Sequence, residues 1–369
     1  MKSRKKINMF ITVVLSFVLI LTFIIIGCNN EQPSEPGEPG EPGKAGTEKT
    51  IELKLATFFN TTHPITTDIL GTWAEMVEEE TNGQLKITLY AGETLLKAGD
   101  LYEGVISGIT DIGHNPTNYN ISRFPVMSTL ELPGIEWRSG KAASYAVRDF
   151  ITEMEDELVE LKDTKTLLVY GLGPGHLFTR EPIRSLEDLK GVEVRVTGGL
   201  VNAFEALGAV PVAMPMPDTY DALSKGVVQA NISPLEVLET WKLCEVTDYV
   251  TMTPFLYNAS HYVVMNWDVW NSLPKEIQDA IERVSEKVFD EQACNCLDNI
   301  NASGLEYAIN EKTGQEVIEL SEEETSRWME LLEPLHEKYV EELNSKGLPG
   351  EKILAKAKEL SQKYNEMYN

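Results

Sequence analysis

Three neighbouring stretches near residue 51 alternate between the two periods a folded chain can adopt. IELKLATFF, from Ile51, opens with polar and apolar side chains at alternate positions, the pattern of a strand. The next stretch, THPITTDILGTWAEMVEEETNG, switches to helical spacing. Ile69, Trp73, Met76 and Val77 form its apolar face, and Gly83 lies just past its end. QLKITLY then returns to the strand period. The switching continues through LYEGVISGI as a short helix, TDIGHNP as strand and loop, and strands in TLLVYG, GVEVRV and PVAMPM. Strands separated by helices are joined by crossovers and lie buried beneath those helices. The fold class is therefore α/β, and 369 residues supply material for two cores.

Later segments are read the same way. Asp218 is placed to cap a short helix, with Asp221 in the capping-box slot and Gly226 at its end; Val227 and Val228 then start a strand. NSLPKEIQDAIERVSEKVFDEQACNCL reads as a long helix capped by Ser272, with Ile277, Ile281, Val284 and Val288 at helical spacing. SEEETSRWMELLEPLHEKYVEEL reads as another, with Ser321 and Glu324 as a capping box and a kink at Pro334.

The N-terminus carries an address. Lys2, Arg4, Lys5 and Lys6 precede an apolar run from about Met9 to Ile26, which ends in IIGCNN. A basic start, an apolar run and small residues at the cut read as an export signal, and Cys28 behind Gly27 looks like a lipoprotein lipobox. Residues 1–27 are thus read as a lipoprotein signal peptide. Residues 28–50 are the lipidated Cys28 and a tether rich in Pro, Gly and Glu, with little to bury.

The formal net charge of −26 repels nucleic acid and anionic lipid heads. Export permits disulfides, but Cys294 and Cys296 sit two apart in a helical stretch and do not face each other, so free thiols are expected, with Cys244 as the remaining cysteine. Enzyme signatures are missing. There is no GxxxxGK loop, no GxGxxG behind a strand and no GxSxG elbow. GLGPG at Gly171 to Gly175 has a proline where phosphate would need flexible backbone, and the five histidines show no metal-ligand spacing.

LKGVEVRVTGG, Leu189 to Gly199, leaves a question open. On a strand, Val192, Val194 and Val196 share one face, and Glu193, Arg195 and Thr197 share the other. Arg195 either lies on a solvated face or points into a cleft toward an anion.

A family resemblance answers it. SLEDLKGVEVRVTGG, ALGAVPVAMPMPDTYDALSKGVV and EVTDYV resemble the DctP-type solute-binding proteins of TRAP (tripartite ATP-independent) transporters. So do LATFFNTTHPI, EETNGQLKITLYAGETL, DLYEGVISGITDIG, RFPVMSTLELPG and WDVWNSLPKEIQDAI, in the same order along residues 51–345. The resemblance implies a two-lobed periplasmic-binding-protein-like α/β fold. It has a central ligand cleft, two crossovers, a helix spanning both lobes and long C-terminal helices. Lobe I would comprise 51–172 plus about 261–300. Lobe II would comprise 173–260 plus about 301–347, with 348–369 a helical tail.

The resemblance also implies that Arg195 pairs with the ligand carboxylate, a match of planar fork to planar anion. Phe59 and Asn60, with Phe58, end the first strand, where open sheets expose cleft residues. Asn115 and Tyr119 follow TDIG, Thr197 shares the face of Arg195, Tyr220 lies on the short helix, and Ser233 and Glu236 follow GVVQA. All are expected to line the cleft. Glu236 opposite an acid calls for a proton, a hydroxyl or a cation, so a ligand-associated cation has a place, although the sequence holds no clean metal pattern and implies no cofactor. Gly175 stands where sialic-acid-binding relatives carry a second arginine. QANISP replaces the family's DGxENP with Gln229, Ala230 and Ser233. Sialic acid is thereby disfavoured, and a monocarboxylate, keto, hydroxy or aromatic acid is favoured. The expected partners are that acid, the TRAP membrane permease and the membrane itself through the lipid, in an extracytoplasmic location. An ABC-type binding lipoprotein and a cleft enzyme acting on an organic acid are the rival readings.

Overall fold

The structure, a computed structural model, describes residues 50–312 and 314–368. The signal segment, Cys28 and the tether lie outside the described residues. Among the described residues eleven strands form two sheets: β1 (Ile51–Thr57), β2 (Leu85–Tyr90), β3 (Ile112–Pro116), β4 (Thr164–Gly171), β5 (Gly175–Thr179), β6 (Glu193–Val196), β7 (Val210–Ala213), β8 (Ala230–Pro234), β9 (Tyr249–Met252), β10 (Ser260–Asn266) and β11 (Glu316–Glu319). The first sheet runs β2-β1-β3-β10-β4 and the second β11-β9-β5-β8-β6-β7. β1, β2 and β3 are parallel, as are β6, β7 and β8, while β10 and β5 run antiparallel to their neighbours. Two α/β lobes result.

Two short crossings join the sheets, from β4 to β5 and from β9 to β10, and they are bonded to each other; a third passage, from β10 to β11, is helical. Leu172 N–H donates to Ala259 O at 3.0 Å, Gly173 N–H to Asn258 Oδ1 at 3.2 Å, and Gly175 N–H to Tyr257 O at 3.0 Å. Gly173 has φ +94°, and a Cβ there would sit 2.7 Å from Gly140 N, so only glycine fits this crossing.

A helical run from Lys275 spans both lobes. Lys275–Val288 buries Ile277, Ile281, Val284 and Val288 as the spacing predicts, and Trp73 Nε1 donates to Ser285 Oγ at 3.0 Å. A π-helical turn, Phe289–Ala293, leads into Cys294–Glu306. There Asp298 Oδ1 accepts from Gly140 N at 2.6 Å, and Asn301 links Leu172 O to Glu236 N–H. Gly304 lets this helix touch the loop after β8, because a Cβ would meet Leu235 O at 2.4 Å. Among the described residues Cys244, Cys294 and Cys296 form no disulfide, and burial pushes Cys294 and Cys296 up to about 12. The C-terminal helix Gly350–Met367 packs back on the first lobe, where Asn365 Oδ1 accepts from Arg138 N.

Local expectations fail where competing caps win. Asp218 adopts helical backbone in a 3₁₀ turn, Met216–Asp218, and caps nothing. Asp221 pairs with Lys225 instead, while Gly226 does close the helix at φ +72°. The strand expected from Val227 begins at Ala230. Ser272 ends a separate helix, Trp267–Ser272, which Asn266 caps; Pro274 starts the long one. Ser321 caps Glu322–Ser345 by accepting from Glu324 N at 3.1 Å. The Glu324 carboxylate turns to Leu186 N and Arg327 rather than closing the box, and the helix continues through Pro334.

Candidate ligand-binding site

Both faces of β6 are covered, so the solvated-face reading of Arg195 is excluded. Val194 and Val196 are fully buried, and Arg195 itself is 1% exposed. A parallel strand between β7 and β8 explains this, since helices cover both sides of such a sheet. Arg195 Nε donates to Met214 O at 2.9 Å, and Nη1 donates to Asn231 Oδ1 at 3.2 Å and Ser233 Oγ at 3.3 Å. Nη2 has no partner within the protein, and among the described residues no carboxylate lies within ion-pair distance of the guanidinium. A buried, uncompensated cation costs several kcal/mol even after relaxation, a cost that an anion would offset. The neutral dipoles around Arg195 orient it without discharging it.

The Tyr119 phenol joins this group. Its hydroxyl accepts from Met216 N at 2.9 Å, and burial raises its pKa against the pull of the Arg195 guanidinium. Tyr257 is buried in the same field, and burial raises its pKa too. Gly175 explains where a second arginine has gone: a Cβ there would lie 2.5 Å from the Tyr257 ring. Aromatics close the rest. Phe58 packs on Tyr119 at 5.4 Å and stacks on Trp241 at 6.2 Å, and Phe59 meets Trp241 at 6.2 Å. These contacts join the end of β1 to the segment after β8, so the two lobes meet here.

Glu236 forms the polar counterpart of that contact. Its Oε2 lies 3.2 Å from His63 Nε2, both groups are buried, and Thr240 Oγ1 donates to the same oxygen. Glu236 is thus engaged across the lobes and makes no bond to Arg195. Three expected residues are occupied locally. Asn60 Oδ1 accepts from Thr62, in the turn after β1. Asn115 Nδ2 donates to Ala98 O at 2.7 Å, on the far side of β3 from His114. Tyr220 donates to Glu245 at the exposed surface of the second lobe.

The sequence reading missed Asn231, Asn118, Trp241, Tyr257 and His63. Asn231 had a signal, because it lies two positions before Ser233 on β8 and so on the same face. A row of Thr57, His114, His261 and Tyr170 had none. It takes one residue from each of β1, β3, β10 and β4, linked by Thr57 Oγ1–His114 Nδ1 at 2.9 Å, Tyr170 Oη–His114 Nε2 at 2.6 Å and His261 Nδ1–His114 Nε2 at 3.1 Å. Phe59 stacks on both imidazoles. Burial, with His63 nearby, pushes His114 down to about 3, so the row is neutral. Among the described residues no group of His, Cys, Asp or Glu is arranged to hold a metal ion.

Beside the Arg195 group lies a cavity of about 230 Å³. Asn118, Ser128 and Glu131 from the first lobe, Thr197 and Asn202 from the second, and Tyr339 of the Glu322–Ser345 helix contribute to its wall. Arg195 is not on that wall, and Thr197 is the sequence-predicted residue that is.

Comparison with known proteins gives this geometry its family. Residues 55–343 match the profile of bacterial extracellular solute-binding protein family 7, DctP. The 2,3-diketo-L-gulonate-binding periplasmic protein of Escherichia coli is 25% identical over 283 residues, 71% of this chain and 85% of that one. A TRAP periplasmic solute-binding protein from Desulfovibrio salexigens superimposes with TM-score 0.75 at 32% identity, over 86% of this chain and 97% of that one. A TRAP solute-binding protein from Rhodoferax ferrireducens, solved with copurified benzoate, gives TM-score 0.80 at 26% identity, over 87% and 100% of the two chains. A two-lobed α/β body with a buried, uncompensated arginine between its lobes, matched along most of its length, thus belongs to the DctP family of extracellular solute-binding proteins, the receptors of TRAP transporters.

Proposed function

We propose that this chain captures an organic monocarboxylate outside the membrane for a TRAP permease, with Arg195 as the carboxylate clamp and Cys28 as the lipidated anchor. One observation carries the clamp: a guanidinium buried to 1%, with Nη2 unpartnered and no counter-charge nearby. A carboxylate answers both needs, because it brings the charge and accepts from the free N–H groups. Met214 O, Ser233 and Asn231 hold the fork, and Phe58 packs on the neighbouring Tyr119. Gly175 leaves no room for a second cation beside the Tyr257 ring, which favours one carboxylate over two.

Relatives support an acid. The Rhodoferax ferrireducens protein holds benzoate, and in the Desulfovibrio salexigens structure the C-terminus of a symmetry mate occupies the ligand site. Among the described residues no helix is long and apolar enough to cross a membrane.

A thermal-shift screen of carboxylates tests the receptor reading. At a ligand concentration a hundred times Kd, binding to the folded state adds about 2.7 kcal/mol. At least one organic acid should give such a shift and neutral sugars none; a sugar hit with no acid hit refutes the assignment. For the anchor, Cys28→Ser should move the protein from the membrane fraction to the soluble one or leave the precursor uncut. An unlipidated wild-type Cys28, read by intact mass, would remove the anchor from the scheme.

A further inference from the structure

His63 and Glu236 meet across the lobes, and each is set in place by its own surroundings. His63 follows β1. Its N–H donates to Asn60 O at 3.2 Å, and its Nδ1 accepts from Ile65 N at 3.2 Å. With Nδ1 taken as an acceptor, the ring proton belongs on Nε2, which lies 3.2 Å from Glu236 Oε2. The donor is therefore aimed by the turn that leads into the helical run Ile65–Gly71, with no help from the second lobe.

Glu236 follows β8 and is aimed as firmly. Its N–H donates to Asn301 Oδ1 at 3.1 Å, and Asn301 Nδ2 donates to Leu172 O in the first crossing. Thr240 Oγ1, one helical turn on, donates to Glu236 O at 3.0 Å and to the same carboxylate oxygen that faces His63. The contact is dry. The His63 side chain is 0% exposed and that of Glu236 2%. Phe59 of the first lobe lies 4.2 Å from the His63 ring, and Trp241 of the second lies 6.1 Å from it. Arg195 bonds Met214, Asn231 and Ser233 instead, so the pair stands apart from the clamp.

A hydrogen bond to a carboxylate is stronger than one between neutral groups, and stronger again out of water. A donor and an acceptor that are already oriented join without ordering further side chains. Closing the lobes only has to make this bond, whereas opening them has to break it. Such a contact acts on dissociation, where most differences in affinity reside.

We infer that His63 and Glu236 form a latch of the closed receptor and set how long a captured acid stays, whichever acid it is. Both are positioning residues, acting through the lobes rather than on the carboxylate. The inference rests on the receptor reading but not on the Arg195 clamp.

Stopped-flow kinetics on the purified mature protein test it, with each acid that binds from a panel of benzoate, mandelate, pyruvate, lactate and gluconate. His63→Leu should release the acid about ten-fold faster. Association should change by less than about two-fold. His63→Gln also loses the Ile65 bond but keeps a donor toward Glu236, so it should recover most of the residence time. Glu236→Leu should match His63→Leu, and the double variant should be no worse than either, because each removes the same bond. Circular dichroism controls for folding, and Glu236→Leu stands in should His63→Leu not fold. Unchanged dissociation in the folded Leu variants overturns the latch. So does a change confined to one acid of several, which would make His63 a ligand contact. Failure of every acid to bind overturns the receptor reading and the latch together, and shows as the absence of any signal rather than as an unchanged rate.

Discussion

Arg195→Ala will fold and will bind its acid at least about 30-fold more weakly than the wild type. Truncating one partner of a buried charge pair costs roughly 2–5 kcal/mol, and 2 kcal/mol is about 30-fold in Kd. The apo protein tolerates the change because the removed cation had no counter-charge, so its melting temperature will stay level or rise. Arg195→Lys keeps the charge but cannot hold Met214 O, Asn231 and Ser233 while also presenting two parallel donors, so it will recover only part of the affinity. Calorimetry with the best acid from the thermal-shift screen, and circular dichroism as the folding control, decide the matter. Unchanged affinity in a folded Arg195→Ala protein would remove Arg195 from the site.

Acid will destabilise the fold steeply between pH 6 and pH 4. Burial holds His114 and His176 at about 3, against an unfolded value of 6.5. Both are neutral in the folded protein, so the unfolded chain binds more protons below 6.5. Their contribution is complete above 6.5 and drains away as pH falls toward 3. Over the two units from pH 6 to pH 4 the pair together lose on the order of 5 kcal/mol. Glu131 works in the opposite sense. Burial raises it to about 7, so it favours the folded state most below its unfolded value of 4.5 and less as pH rises through 7. It returns about 2 kcal/mol over the same interval, less than the two histidines lose, and His261, which burial also holds well below its ordinary value, adds to the loss. Urea unfolding at pH 6 and pH 4 measures it. His176→Asn, which can still accept from Thr253 N–H, should flatten the slope by the share of one histidine. Stability that does not change over this interval would contradict the buried, neutral state of these rings.

Much of this was legible in the chain. Period switching gave the α/β class, and the order of motifs along residues 51–345 gave the two-lobed family. The alternation around Arg195 separated it from Val194 and Val196, but alternation alone could not say whether its face met solvent or a second layer of helices. Ser233 was visible in the altered QANISP segment, and Asn231 could have been found from it by strand parity. The histidine row could not be found. It depends on β10 entering the first sheet between β3 and β4, an order set by the return crossing rather than by any local pattern. Tyr220 misled because a six-residue helix, Thr219–Ser224, gives too little periodicity to fix which side faces the cleft. Asp218 and Ser272 were plausible caps, overruled by a 3₁₀ turn and by Asn266 and Pro274.

The paired crossings at Leu172–Gly175 and Tyr257–Ala259 have a mechanical consequence. Two separate linkers would let the lobes twist, slide and tilt independently. Here the linkers are stitched by Leu172 N–H to Ala259 O and Gly175 N–H to Tyr257 O. A stitched ribbon bends readily across its width and resists torsion and shear along its length, so bending is the motion that these two linkers favour. Capture and release then share one coordinate. One distance across the gap, between a label near Phe59 and another near Trp241, would report the whole state of the receptor, as the swing of a door is known from one reading at its edge.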